Sequence, residues 1–204
     1  VSAERENRPG GFWRDNSLTL AFGGAFLLVL AGQAVAGHAG FNEDLAVDGL
    51  QQLTIGEYLM SSDFAVDVSE NWQSEFLQFF LYIFGTVWLL QRGSPESKKL
   101  HKAGPESDRE QRVGDHATAD SPRWAGSKGW RQKLYSRSLG IVMATLFFLS
   151  WLAQSIAGAA AYDEQQLRRL QAPISWGAYL ASADFWNRSL QNWQSELLAV
   201  AAKA

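Results

Sequence analysis

Residues 18–40 read LTLAFGGAFLLVLAGQAVAGHAG, with no acid or base apart from His38 near the end. Crossing the apolar core of a bilayer takes about 20 such residues in a helix, so this stretch predicts a spanning helix. Residues 139–162 form a second run of the same kind, and 76–90 (FLQFFLYIFGTVWLL) a shorter one, into which a helix starting near Asp63 would carry Trp72. A cleaved leader is the rival reading of the first run. Arg5, Arg8 and Arg14 precede it, and Ala34-Val35-Ala36 has the small-residue pattern of a cleavage site. The run 153–162 shows the same pattern in mid-chain, where no such cleavage is expected.

The first run recurs. Shifted along the chain, Ser17-Leu18 falls on Ser138-Leu139, Gln33 on Gln154, Ala36-Gly37 on Ala157-Gly158 and Glu43 on Glu164. Gly56, Tyr58, Leu59, Ser61, Asp63 and Phe64 fall on Gly177, Tyr179, Leu180, Ser182, Asp184 and Phe185. Asn71-Trp72-Gln73-Ser74-Glu75 falls on Asn192-Trp193-Gln194-Ser195-Glu196. Roughly 21 of 61 aligned positions are identical without a gap, which marks an internal duplication. Each copy reads as a spanning helix, an outer loop with short helices, and a second spanning helix. Two spans per copy make the copies point the same way, related by an axis along the membrane normal. Only residues 197–204 follow Glu196, too few to span, so a fourth span that is cut short is expected.

The expected fold is therefore all-α: a polytopic membrane helical bundle of two tandem helical-hairpin repeats, with three full spans plus the start of a fourth. It divides into a cytoplasmic N-terminal segment (1–16), a first hairpin repeat (17–92), a cytoplasmic linker (93–137) and a second hairpin repeat (138–204). Bases set the orientation. The segment before the first run and residues 91–137 are rich in Lys and Arg, whereas residues 38–72 carry none and hold Glu43, Asp44, Asp48, Glu57, Asp63, Asp67 and Glu70. The positive-inside rule then puts the N-terminus and middle loop in the cytoplasm of a bacterial inner membrane and the repeat loops outside. The middle loop, rich in charge, Gly, Pro and Ser, reads as a disordered linker. Its end mixes Arg123, Trp124, Lys128, Trp130, Arg131, Lys133, Tyr135 and Arg137 without an acid. This reads as ordinary flanking charge, with contact to anionic lipid heads as the alternative; so short a patch beside a span does not suggest nucleic acid.

Among the 204 residues (net charge −3) there are nine Trp, three unclustered His and no Cys. Disulfides, thiolate metal sites and Cys nucleophiles are thereby excluded. No phosphate-binding loop, Ser/His/Asp set or metal-spaced cluster occurs, and no cofactor is expected, although lipid-facing aromatics leave room for bound lipid or pigment. His38 is a weak candidate for an axial ligand to haem or a chlorophyll-like pigment. Gly32, Ala36 and Gly40, and Ala153, Ala157 and Ala161, form small-residue stripes that let helices approach closely. Next to them Gln33 and Gln154 should face the bundle and pair with Glu75 and Glu196, because an acid at that depth needs a partner. Glu75, Gln78, Tyr82, Gly85 and Thr86 share one helix face; Phe76, Phe80, Ile83, Phe84 and Val87 share the other, facing lipid or a partner helix. Thr54 to Glu57 is a capping-box pattern. Tyr58, Phe64 and Trp72, with Tyr179, Phe185, Trp186 and Trp193, read as an interfacial aromatic belt.

The doubled blocks running from Tyr58 to Glu75 and from Tyr179 to Glu196, together with the tail Gln91-Arg92-Gly93-Ser94-Pro95-Glu96-Ser97-Lys98, resemble a family of small bacterial integral membrane proteins of unknown function. The resemblance covers nearly all of the chain outside the linker. It implies four spanning helices, from which the missing fourth departs, and it brings no activity, cofactor or site. The expected function is a non-catalytic scaffold or accessory subunit of a larger membrane complex, such as a respiratory or photosynthetic one. Its partners are membrane lipids and other subunits or a second copy. A small carrier or channel using Glu75 and Glu196 is the alternative; for an enzyme at the outer face only the acidic loop speaks.

Overall fold

The computed structural model describes residues 11–94, 97–99 and 101–203, apart from the side chain of Arg14. Arg5 and Arg8 of the basic flank, and Pro95 and Glu96 of the family-like tail, lie outside the described residues. Within them the regular structure is helical, with no strand. Eight α-helices follow in order: α1 (Phe12–Asp15), α2 (Ser17–Val47), α3 (Ile55–Leu59), α4 (Ser62–Trp88), α5 (Trp130–Ser136), α6 (Ser138–Arg168), α7 (Trp176–Leu180) and α8 (Ala183–Lys203).

Two helices, α2 and α6, both of 31 residues, are long and apolar enough to cross a membrane. The third expected span is the apolar half of α4. That helix has 27 residues, but its opening stretch through Asp63, Asp67, Glu70 and Asn71 is polar, and the helix as a whole is not apolar enough to join the other two. The chain divides into two compact units, Val1–Phe64 and Ala65–Ala204.

In the first unit, α2 ends where Gly49 takes a positive φ of 70° and Leu50 N–H reaches back to Leu45 O at 2.8 Å. The return loop is pinned by Asn42, whose Oδ1 accepts from Leu53 N–H (2.8 Å) while its amide donates to Leu53 O (2.9 Å). Thr54 then caps α3, its side chain accepting from Glu57 N–H while Glu57 accepts from Thr54 N–H, the capping box read from the sequence. Tyr58, 2 % exposed, lies between Phe41 and Phe64 with ring centroids 5.6 and 5.5 Å away. Its ring lies over Gly37, where a Cβ would come within 3.1 Å of Cζ.

The second unit contains the same device. Leu170 takes the positive φ (59°), Asp163 Oδ1 accepts from Ile174 N–H at 2.9 Å, and Ser175 caps α7. Tyr179, fully buried, lies between Tyr162 and Phe185 (5.6 and 5.7 Å) over Gly158. The rest of this unit packs α4 and α8 against α6. Phe80 stacks on Phe147 (6.4 Å, 9°), and a Cβ at Gly140 would lie 3.0 Å from the Phe84 ring. The phenylalanine face of α4 thus meets a partner helix.

The middle segment is ordered where described, against the expectation of a disordered linker. Val113 and Ala125 are buried, and Gly114 N–H donates to Ala125 O at 2.7 Å. Gly104, at φ 105°, lies against the Trp88 ring and donates its N–H to Val87 O (2.8 Å). Gln132 donates to Asp108 (2.8 Å), and Lys128 pairs with Asp115 (2.8 Å). Composition misleads here because short-range polar contacts and glycines at positive φ close the turns without a large apolar core.

Around α6 many apolar side chains face outward. Leu139, Ile141, Val142, Phe148, Leu149, Leu152 and Ile156 are exposed, while Ser150, Gln154 and Ser155 are buried. The exposed apolar surface is the informative feature, and the interior beneath it mixes these polar side chains with Phe147.

Candidate functional site

The repeated Asn-Trp-Gln-Ser-Glu motif brings α4 and α8 together. Both helices open on a serine, Ser61 Oγ accepting from Phe64 N–H and Ser182 Oγ from Phe185 N–H, each at 3.2 Å. Within the motif, Asn and Ser are satisfied along their own helix. Asn71 and Asn192 donate to Asp67 O (2.8 Å) and Arg188 O (3.1 Å); Ser74 and Ser195 donate to Asn71 O (3.0 Å) and Asn192 O (2.8 Å). Trp, Gln and Glu are left for contacts between helices. Trp193 Nε1–H donates to Gln73 Oε1 at 3.1 Å, with Gln73 fully buried. Trp193 also packs on Phe147 and Trp151, and Trp151 Nε1–H donates to Ser189 Oγ at 3.1 Å.

One turn earlier lies a charged network. Arg188 donates to Glu70 Oε2 and to Asp184 Oδ2, both at 3.3 Å, and Tyr179 Oη–H donates to the same Asp184 oxygen at 3.1 Å. Burial pushes the Asp67 and Glu70 carboxyls above their ordinary range, with the Arg188 charge opposing it. Burial, and then the Asp184 charge, raise the Tyr179 phenol. The network holds two helices by charge-assisted hydrogen bonds. Among the described residues, no group of three or more His, Cys, Asp or Glu could hold a metal ion.

A family model matches residues 10–204 of the chain. The chain belongs to the family described as Domain of unknown function (DUF6766). No curated protein and no solved structure matches it.

In this DUF6766 chain one expected polar pair, Gln154 with Glu196, is not joined by a hydrogen bond. Gln154 is fully buried, and both its amide oxygen and nitrogen lack a hydrogen-bond partner, so it is not bonded to Glu196. Gln33, on α2, is half-buried, and Glu75 is exposed. Glu196 is half-buried. The two carboxylates of the repeat lie within electrostatic reach of each other. The small-residue stripe of α2 is open, since a Cβ at Gly32 or Gly40 would meet nothing within 4 Å; the glycine that packs is Gly37.

The aromatic belt also divides. Trp72 (43 % exposed) and Trp186 (41 %) are on the surface, whereas Tyr58, Tyr179 and Phe185 are core residues; Phe64 and Trp193 are half-buried. His38 joins the first return loop, with Nε2 2.7 Å from Leu53 O and 2.9 Å from the Asn42 amide. Sequence reasoning missed Asn42 and Asp163, Glu70 with Arg188, and Trp151. The first two were findable, because Asn42 and Asp163 occupy one repeat position and both side chains present an acceptor. Below Tyr82 and Thr86 a cavity of about 310 Å³ is closed by Leu197 and Val200 and is almost entirely apolar.

Proposed function

We propose that this chain is a non-catalytic integral membrane protein of the bacterial inner membrane, acting as a scaffold or accessory subunit of a larger membrane complex. The observation that carries the reading is the apolar exterior of α6 over an interior that includes polar side chains. Two of the buried polar side chains of the second unit make hydrogen bonds between helices, Gln73 with Trp193 and Ser189 with Trp151, while α6 turns Phe148, Leu149, Leu152 and Ile156 outward. In lipid, association rests on close packing and such hydrogen bonds, not on hiding apolar surface. The apolar exterior then belongs to lipid and to neighbouring subunits. In this reading α4 crosses with α2 and α6, the N-terminus and the segment 93–137 are cytoplasmic, and the loops before α3 and α7 are outside.

Purification from native membranes in mild detergent tests it. A stoichiometric membrane partner, released by exchanging Phe148 and Leu152 for alanine, supports the subunit role; a chain that elutes alone at all detergent strengths refutes it. Orientation is tested by Asp48→Cys, unique in a chain without Cys, which should be labelled from outside intact cells. Labelling only after lysis overturns the topology.

The approach of Glu75 to Glu196 favours one second reading, a carrier or channel for a proton or cation. Ion flux in proteoliposomes that Glu75→Gln and Glu196→Gln both abolish would support it. Equal flux in empty vesicles and in both variants would remove it.

A further inference from the structure

We propose that the outer face of α5 lies on the inner membrane surface and binds anionic phospholipid headgroups; this rests on the membrane reading of α6. The argument starts from helical phase. At about 100° per residue, Gln132, Tyr135 and Ser136 share one arc of α5, and Trp130, Arg131, Lys133, Leu134 and Arg137 share the other. Burial follows that division: the first three are half-buried and the other five exposed. Gln132 anchors the inner arc, donating to Asp108 at 2.8 Å and resting against Gly114. The outer arc carries three cations, a leucine and a tryptophan that is 68 % exposed, with the Arg131 guanidinium 5.5 Å from the Trp130 ring centroid.

Depth is set by the chain. Arg137 is at once the residue that ends α5 and the one that starts α6. A helix joined by one residue to a spanning helix sits at headgroup level, where Trp rings and snorkelling Arg and Lys are favoured. Charge selects the occupant. Arg123, Lys128, Arg131, Lys133 and Arg137 are followed by no acid until Asp163, and only Lys128 of the five has an ion-pair partner among the described residues, Asp115. Among the described residues no acid is ion-paired with the outer arc, so its complement is a negative surface, and the phosphate of an anionic lipid accepts from guanidinium and ammonium groups.

The whole chain is reconstituted into vesicles of equal phosphatidylcholine and phosphatidylglycerol, floated after an alkaline wash, and extracted in mild detergent. The retained lipid is measured by mass spectrometry. The parent should retain phosphatidylglycerol preferentially. Arg131→Gln/Lys133→Gln/Arg137→Gln should lower that preference, by up to roughly fivefold per cation removed. Arg131→Lys/Arg137→Lys, which keeps the charge, should retain it. A parent that floats without preference, or a triple Gln variant that floats and keeps the parental preference, overturns the α5 site and leaves the membrane reading standing. A parent that does not float overturns both.

Discussion

The two return loops, residues 37–64 and 158–185, are built from the same contacts, whereas the helices that leave them differ where they meet. In each loop a tyrosine lies over a glycine between two aromatic rings, an Asx side chain holds a backbone N–H, and a hydroxyl caps the short helix. Beyond the loops, Asp67 of α4 and Arg188 of α8 occupy the same repeat position and carry opposite charges, each within reach of the other. Gln73 is buried under Trp193, while its counterpart Gln194 is exposed. Contacts internal to one copy can stay identical in both. Contacts between copies bring equivalent residues together, and two aspartates there would repel. Glu75 and Glu196 break this rule, remaining identical acids that approach each other, and for that reason they carry the second functional reading.

The largest expected effect is at the tyrosine contacts. Gly158→Ala places a Cβ against a fully buried Tyr179 whose hydroxyl is held by Asp184, and overpacking of this kind costs about 2 kcal/mol. Gly37→Ala should cost about as much by the same contact with Tyr58. Thermal unfolding in detergent measures both. An effect in only one loop would break the equivalence of the two.

Arg188→Gln comes next and addresses what differs. It leaves Glu70 and Asp184 without their cation. Arg188 and Asp184 are about a third exposed and Glu70 less, so solvent screening reduces the loss to about 1–2 kcal/mol. The sign with pH follows from the raised Asp67 and Glu70 carboxyls. Protonating them favours the folded state, a contribution complete below their ordinary range and lost as pH rises through the raised folded values. Without Arg188 to oppose burial the rise is larger, so the deficit of the variant should be greatest at neutral pH and shrink on acidification. A deficit independent of pH would show that the network contributes through packing alone.

Much of this was legible in the sequence. The helical class and the capping box at Thr54 follow from residue spacing, because they depend on neighbours along the chain. What was not legible depends on side-chain direction. Tyr58 and Tyr179 read as belt residues because they lie in the outer loops between apolar runs; they are buried because Gly37 and Gly158, one helix away, leave room for a ring. Gln154 and Glu196 lie at compatible depths in the sequence, yet no hydrogen bond joins them. The middle loop, 92–123, read as disordered because composition does not reveal turn geometry.

A smaller gain is expected at the end of α6. Gly49 and Leu170 occupy the same repeat position, both at positive φ. A leucine there is strained, and it is 97 % exposed, so no burial offsets the strain. Leu170→Gly should stabilise by about 1 kcal/mol, and Gly49→Leu should destabilise by a similar amount. If Leu170→Gly instead destabilises, the leucine has a contact outside this chain, and co-purification would be the place to find it.

The smallest effect separates the two short helices. Glu57 accepts from the Thr54 backbone and side chain at 2.7 and 2.8 Å, and those bonds, the backbone one first, hold its carboxyl below the ordinary range. The stabilisation is present above the unfolded pKa and lost as pH falls through the lowered folded one. At the matching position α7 has Ala178, so Ser175 caps without an acid. The Thr54 amide resonance should therefore titrate on acidification, with a midpoint below that of a free glutamate, and the Ser175 amide should not move. Glu57→Gln should flatten the Thr54 titration while leaving the Thr54 hydroxyl to cap the backbone N–H at position 57. A Ser175 amide that titrates alongside Thr54 would mean that some other acid reaches α7, and the two loops would then be alike in the one respect where their sequences differ most.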